Sequence, residues 1–438
     1  MTKSINLSLL LCLVITAIAY AQDNCKGKAN TFDIYTDEPV LVNQTNGGWL
    51  YKTGGANNTV HVLHVYGNPY QMGYAHGALL RDQIQQMMPM FMSYAVAAVT
   101  QTAKATPSFF PQYILNIIQT EGVLAALDSI HYTTAPYTNI EFYEEIQGLS
   151  EGADFDYQTL VRMHMFPELI KASCSIVGAW GQASVGGNLF QLRALDWGID
   201  NPLVNFPTFI VYHPEEDNGN PFSVLSWTGF IGALTGYSQR TGVSEKVWSG
   251  YSGSFSYTGT PFYFLMRDII QYDSSIQEAL TRINNAQRTC AIFLGVGSNS
   301  TNTLNVVEYS HDTAAVFNDQ TPFPGFAPTP AAHPTLTDLV YVDKHVQPSN
   351  DPCMAALLQY SYGKIDAQAL INIVSLFQTG DLHIGIYDFV GNQVYVSVAN
   401  TNVPYPNPLN QPMSPSYQNQ FIQFDMNKLF ALAPPKNI

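Results

Sequence analysis

The chain has 438 residues, of which 46% are hydrophobic and 13% aromatic, so it can bury a sizeable core in one large domain or in two to three smaller ones. Its 33 acidic and 18 basic residues give a net charge of -15, and the basic residues form no cluster. This balance argues against nucleic acid and anionic membrane surfaces as partners. It suits an acidic compartment such as a lysosome, and equally suits plain secretion.

The first residues have the pattern of a secretory signal peptide. A lysine near the start precedes an apolar core from Leu9 to Ala19, and an Ala-x-Ala cleavage site ends at Ala21. We therefore predict a signal peptide over residues 1–21 and a soluble, secreted or lysosomal mature protein. No later stretch approaches the roughly 20 apolar residues that a membrane helix requires, so no transmembrane segment is expected.

Three Asn-x-Thr sequons are predicted glycosylation sites if the chain enters a eukaryotic secretory pathway. They lie at Asn43, Asn57 and Asn299. Because such short motifs also arise by chance, we expect two of the three to be used.

The first third of the chain reads as a β-rich entry around residues 50–66 followed by helices from Pro69 to about Leu169. Apolar residues between Leu80 and Phe91 recur at 3.6-residue spacing, and Pro89 is expected to kink or interrupt that helix. Later periodic stretches indicate three more helices before residue 170. The acidic pair Glu144 and Glu145 is interpreted as part of a solvated helix face rather than as an acid and a base.

From Cys174 onward the sequence changes to short β-branched and aromatic runs separated by Gly, Asn and Ser. Helix pairs near residues 260–283 and 352–377 interrupt these runs. Strands broken by helix pairs predict sheets covered by helices, an α+β layered fold. The main change of organisation along the chain is expected at Cys174.

The number of cysteines limits which disulfides can form. Once a signal peptide is removed, Cys25, Cys174, Cys290 and Cys353 remain. They allow two disulfides in three possible pairings, or one disulfide and two free thiols. The choice depends on whether Cys174 must stay free to react.

A thiol, a guanidinium and a carboxylate are predicted to lie close together around Cys174. If residues 175–180 and 188–195 form an antiparallel pair, Cys174 lies opposite Ala194 and Leu195, and Arg193 and Asp196 flank it. A spacing of three residues puts Arg193 and Asp196 on opposite strand faces, so both can reach the thiol only where the strand ends or bulges. A nearby arginine would lower the cysteine pKa. The alternative is a small buried cysteine beside a structural salt bridge.

Two parts of the sequence carry a family resemblance. One is EEIQGLSEGADFDYQTLVRMH, and the other, after it, is SCSIV followed by GNLFQLRALDWG. They resemble N-terminal nucleophile (Ntn) cysteine hydrolases of the acid ceramidase, N-acylethanolamine acid amidase and acyl-coenzyme A:6-aminopenicillanic acid acyltransferase type. The resemblance implies a four-layer αββα fold, with two antiparallel sheets between helices. It also implies an enzyme that acts on linear amide bonds and needs no cofactor.

In such enzymes the precursor cuts itself before the nucleophile, which here is between Ser173 and Cys174. The resemblance therefore implies a mostly helical fragment, residues 22–173, and a catalytic fragment, residues 174–438. The freed α-amine of Cys174 would serve as base for its own thiol, and a thioester would form on amide cleavage. By match to the motif, Arg193 would support the nucleophile, Asp196 would orient the amine and Trp197 would face the acyl pocket.

The expected substrate is an N-acylated lipid or small amide, which is hydrolysed or whose acyl group is transferred. By the same resemblance, a disulfide between Cys25 and Cys353 would join the two fragments, and Cys290 would be a buried free thiol. The family places an oxyanion-binding asparagine where this chain has Asp343. That residue could donate a hydrogen bond only if protonated, and His345 is the alternative donor.

Two other functions stay open from the sequence. One is a catalytically impaired, secreted binding protein of the same fold. The other is a papain-like cysteine hydrolase with His333 or His345 as base, although no papain signature surrounds Cys174. The 10 histidines are scattered, so no metal site is predicted.

Overall fold

The computed structural model describes residues 25–170, 172–326 and 330–436, and the predicted signal peptide over residues 1–21 lies outside them. Within these ranges the chain forms 16 strands and 11 α-helices. None of the helices in these ranges combines the length and the apolar character needed to cross a bilayer.

The strands form a ten-stranded and a six-stranded sheet. In spatial order, the larger sheet contains β1 (Val40–Thr45), β2 (Gly48–Thr53), β3 (Val60–Gly67), β6 (Pro207–Pro214), β7 (Phe222–Trp227), β8 (Thr235–Ser238), β9 (Thr241–Val247), β10 (Ile292–Ser298), β11 (Thr303–Tyr309) and β12 (Ala314–Phe317). The smaller sheet contains β13 (Leu339–Val342), β4 (Ser173–Ala179), β5 (Phe190–Asp196), β14 (His383–Asp388), β15 (Gln393–Val398) and β16 (Ile422–Asp425).

One strand pair departs from the antiparallel sheets that the sequence predicted. The six-stranded sheet is antiparallel throughout, but β3 runs parallel to β6 in the ten-stranded sheet. A parallel pair requires a long crossover connection, and here six helices and the strands β4 and β5 intervene. Short-range sequence patterns carry no information about a pairing at this separation.

The helices are α1 (Pro69–Leu79), α2 (Arg81–Ala105), α3 (Gln112–Thr120), α4 (Val123–Thr134), α5 (Ile140–Ala153), α6 (Tyr157–Met165), α7 (Phe262–Tyr272), α8 (Ile276–Asn285), α9 (Cys353–Tyr360), α10 (Ala367–Phe377) and α11 (Met426–Ala431). Of the predicted kink or interruption at Pro89, the interruption does not occur, since α2 continues through Pro89; the helical segment is instead divided at Leu80, between α1 and α2. Pro89 is exposed. The backbone carbonyl that loses its partner there is on the solvent side, where water can satisfy it.

Three apolar cores define the layers. Helices α1 to α8 cover one face of the ten-stranded sheet, and helix side chains such as Ile84 and Ile269 share one apolar core with Ile210 of the sheet. The two sheets pack face to face through a second core that includes Ile176 and Phe209. A third core lies between the six-stranded sheet and helices α9 and α10. The order is helix, sheet, sheet, helix, so the predicted αββα fold class is confirmed.

The chain before Cys174 does not form a separate body. Its strands β1 to β3 extend the ten-stranded sheet, and its helices share one core with α7 and α8. A buried ion pair joins the two parts, because Arg267 of α7 donates to Glu145 of α5 at 2.6 Å. Glu145 is 1% exposed, so its interpretation as a solvated residue is wrong, while Glu144 is exposed as expected.

Candidate active site

Cys174 lies at the start of β4 and faces the space between the two sheets. It pairs with Leu195 of β5, as the antiparallel arrangement predicted, and its side chain is fully buried. The sulfur accepts a hydrogen bond from Arg193 Nη2 at 3.2 Å. The thiol also points to Glu245 Oε2 at 3.8 Å, a contact that the sequence did not predict.

Arg193 is held rigidly because all five of its N–H groups have partners. Nε donates to the backbone oxygen of Glu245 at 3.0 Å, and Nη2 donates to the Glu245 carboxylate at 2.8 Å as well as to the sulfur. Nη1 donates to Thr235 Oγ1 at 2.9 Å and to His383 Nε2 at 2.8 Å. An arginine can only donate, so His383 accepts through Nε2 as a neutral imidazole. Burial and the Arg193 charge hold the pKa of His383 well below its usual value.

The thiol is protonated in the uncut chain. Burial raises the pKa of Cys174 to about 12, and the positive charges of Arg193 and Lys246 oppose that effect only in part. The sequence predicts that the arginine favours the thiolate form of Cys174. Its charge does act in that direction, but complete exclusion of water from the sulfur outweighs it.

The hydrogen-bond partners of the Asp196 carboxylate are on the segment after α10 rather than on Cys174, and Asp196 ends β5 as the sequence suggested. It accepts hydrogen bonds from Thr379 Oγ1 at 2.6 Å and from the Gly380 N–H at 2.9 Å. Burial raises the pKa of Asp196 to about 6, against the lowering effect of these two bonds. Asp196 pairs across the sheet with Ser173, so its backbone lies beside the Ser173–Cys174 peptide rather than beside the sulfur.

Trp197 lines a narrow apolar cavity next to Arg193 and Glu245. The cavity has a volume of about 40 Å³, room for little more than one water molecule. Residues from both sides of the Ser173–Cys174 peptide line it, among them Phe166 and Ile170 before the peptide and Trp227 after it. The indole nitrogen of Trp197 donates to the Tyr94 hydroxyl at 2.9 Å.

Asp343 and His345 bind each other just beyond β13. Oδ1 of Asp343 accepts from the His345 N–H at 2.9 Å, from His345 Nδ1 at 3.1 Å and from Gln347 Nε2 at 2.9 Å. Burial alone would raise the pKa of Asp343, but the hydrogen bonds from His345 outweigh it and leave that pKa below its usual value. Asp343 is therefore an ionised acceptor. Without a proton it cannot donate a hydrogen bond to an oxyanion.

The histidines of the papain-like alternative lie away from the sulfur. His333 stacks on Tyr341 at 4.1 Å between ring centroids, and His345 is bound to Asp343. Neither is among the hydrogen-bond partners of Cys174, which are Arg193 and Glu245. The papain-like arrangement, in which a histidine contacts the thiol, is absent from the described residues.

The structure also shows where the other cysteines and the three sequon asparagines lie. Cys25 and Cys353 form a disulfide, and Cys174 and Cys290 are buried outside that bridge. The sequon residues Asn43, Asn57 and Asn299 are all exposed. In the part of the chain that the structure describes, no group of three or more His, Cys, Asp or Glu side chains could hold a metal ion.

Sequence reasoning missed the second half of the site, which β9 and β14 supply. Glu245 and Lys246 lie on β9, and every residue of that strand is buried. The segment TGVSEKV was not recognised as a strand because its Gly, Ser, Glu and Lys are uncommon in buried strands. One usable indication was the charged pair itself, since only 12% of the chain is charged.

No protein-family model matches the chain. It is 55% identical over 407 residues to protein dcd1B of Dictyostelium discoideum, an alignment that covers 92% of this chain and 81% of that protein. It is 49% identical over 426 residues to protein dcd1A of the same organism, covering 96% and 97% of the two chains.

Solved structures that match part of the chain are more distant in sequence. The Caenorhabditis elegans ortholog of N-acylethanolamine-hydrolyzing acid amidase is 15% identical, with 49% of this chain and 93% of that chain covered and a TM-score of 0.37. Penicillin V acylase from Agrobacterium tumefaciens is 8% identical, with 58% and 87% covered and a TM-score of 0.38.

Proposed function

This chain belongs to the family of the Dictyostelium discoideum proteins dcd1A and dcd1B, and we propose that it is a self-processing Ntn cysteine amidase, secreted or lysosomal, with Cys174 as nucleophile. The observation that carries the proposal is the contact between the Cys174 sulfur and Arg193 Nη2 at 3.2 Å. Each other N–H of Arg193 donates a hydrogen bond to a protein acceptor. A buried cation held this firmly beside a thiol is a preorganised site for negative charge.

Self-processing would begin at the peptide before the nucleophile. The Cys174 sulfur adds to the Ser173 carbonyl carbon, the C–N bond breaks, and the nitrogen takes a proton to become the α-amine of Cys174. Water then hydrolyses the resulting thioester. Ser173 pairs with Asp196 across β4 and β5, so the Asp196 carboxyl is close to the new amine and can accept a hydrogen bond from it.

Turnover would reuse the same atoms. The α-amine, with a reference pKa of about 7.7 to 8.0, removes the thiol proton, and the sulfur attacks the substrate amide. The amide C–N bond breaks, the amine leaves with that proton, and an acyl thioester remains on Cys174. Water completes hydrolysis, and a second amine completes acyl transfer.

The hydrophobic lining of the cavity favours a substrate with an apolar acyl group. The lining is almost entirely hydrophobic and meets the site at Arg193 and Glu245. A volume of about 40 Å³ is far below the roughly 300 Å³ or more of a small-molecule site. The cavity lining includes Phe166, Pro167, Ile170 and Ala172, which precede the cleavage site, so their displacement after cleavage would open a channel for an N-acylated lipid or small amide.

A second candidate is a non-catalytic binding protein of the same fold. The observations that favour it are the protonated, fully buried thiol and the ionised Asp343 in place of an oxyanion donor. Such a protein would stay uncut and would bind acyl ligands without turnover.

Intact mass and amino-terminal sequencing of the secreted protein, reduced and non-reduced, distinguish the two. We expect new termini at Gln22 and Cys174 after incubation at mildly acidic pH, with fragments that separate in denaturant only on reduction. Cys174→Ala should stay whole. Cys290→Ala replaces the other buried cysteine outside the disulfide and should be cut like the wild type. A wild-type chain that remains whole at every pH tried would refute the amidase and favour the binding protein.

A further inference from the structure

Lys246 is a buried lysine beside the nucleophile that no step described above uses. It lies on β9, which packs across the sheet interface against β4, and the residue is 1% exposed. Its Nζ donates to the backbone oxygen of Lys344 at 3.4 Å. A lysine of this burial is uncommon unless it has a partner or a function.

The position of Lys344 locates the ammonium group. Val342 of β13 pairs with Ile176 of β4, and Lys344 follows that pair by two residues, toward the Cys174 end of β4. Lys246 is also close enough for its positive charge to lower the pKa of the Cys174 thiol. Arg193 approaches Cys174 from β5, on the other side of β4. Two buried cations therefore lie around the nucleophile, Arg193 from the neighbouring strand β5 and Lys246 from β9 of the facing sheet.

The charge of Lys246 is poorly compensated in the uncut chain. Among the described residues, Lys246 forms no salt bridge within 4.0 Å, whereas the Arg193 charge is paired with Glu245 at 2.8 Å. A long bond to one carbonyl leaves two of the three ammonium protons available. Such an arrangement is costly unless negative charge develops nearby.

We propose that Lys246 is a catalytic residue that stabilises the negative charge formed at Cys174, first on the sulfur and then on the oxyanion of the carbonyl it attacks. This assignment rests on the proposed amidase function. Lys246 donates hydrogen bonds to the oxyanion and neither gains nor loses a proton over the cycle. It supplies the donor that Asp343, as an ionised acceptor, does not.

The rate of self-cleavage tests the proposal without any knowledge of the substrate. Lys246→Met keeps the length of the side chain and removes the charge, and it should slow the appearance of the Cys174 terminus about 10²- to 10³-fold. Lys246→Arg should retain most of the rate. Lys364→Met removes a charge from an exposed lysine and should not change it. Cleavage of Lys246→Met at the wild-type rate would overturn the assignment.

A second measurement separates this proposal from the amidase function. In a Cys290→Ala background, Cys174 is the one free thiol of the described residues. The pH dependence of its alkylation by iodoacetamide should move upward by at least about one pH unit in Lys246→Met. A shift without any wild-type cleavage would refute the amidase but keep the electrostatic role of Lys246. No shift would refute that role even if the wild type is cut.

Discussion

Burial raises the pKa of two acidic groups of the site in the uncut chain. The pKa of Cys174 is raised to about 12 and that of Asp196 to about 6, in both cases chiefly because the protein excludes water from them. A neutral thiol is a weak nucleophile, so Cys174 reacts slowly in the uncut chain. Exposure of the sulfur after cleavage would remove the main cause of the shift.

The raised pKa of Asp196 predicts a pH-dependent stability. An unfolded aspartate ionises near pH 4, so the folded state loses stability as the pH rises from about 4 to about 6. In the uncut Cys174→Ala background, Asp196→Asn should therefore increase the free energy of unfolding by about 2 to 3 kcal/mol at pH 7 and by little below pH 4. Urea unfolding at both pH values measures this, and an equal effect at both would contradict the assigned shift.

At the scale of elements, sequence patterns predicted most helices and strands, including α10 from Ala367 to Phe377. Pairing β4 with β5 about their connecting turn predicted the register around Cys174. These segments bury apolar residues at the spacing of their own secondary structure. The sequence did not reveal β9, because its buried residues are polar and their partners lie on another sheet. Arg193 and Cys174 were predictable as neighbours, whereas Glu245, Lys246 and His383 reach the site only through the stacking of the sheets.

The ion pair between α5 and α7 predicts an asymmetric effect of substitution. Arg267→Met leaves the Glu145 carboxylate buried without its partner, which should lower the free energy of unfolding by about 3 to 5 kcal/mol. Replacing Glu145 by Met as well should restore much of that loss. Denaturant unfolding of the uncut chain measures both.

A partly exposed ion pair provides a matched control for the buried pair of Arg267 and Glu145. Arg162 and Asp128 form a similar pair at 2.7 Å, but about a quarter of each side chain is exposed. Arg162→Met should therefore cost less than about 1 kcal/mol. An equal cost for Arg162→Met and Arg267→Met would show that burial does not set the energy of these pairs.

For the whole molecule, the parts before and after Cys174 share a sheet and a core. The hydrogen bonds between β3 and β6 and the buried helices would persist after cleavage. We therefore expect the cut Cys25→Ser variant to elute as a single species in size-exclusion chromatography without denaturant. In denaturant its fragments should separate without reduction, unlike those of the wild type. Separation of the variant in native buffer would mean that the disulfide, rather than the shared sheet, holds the fragments together.

The bridge from Cys25 to Cys353 has a further consequence for a cut molecule. Two loose polypeptides would have to meet by diffusion, so recovery from unfolding would slow on dilution. A covalent tether makes that encounter unimolecular and sets a fixed effective concentration of one piece around the other. Recovery after a brief unfolding event would then be independent of protein concentration, an advantage for a protein acting where its concentration is low.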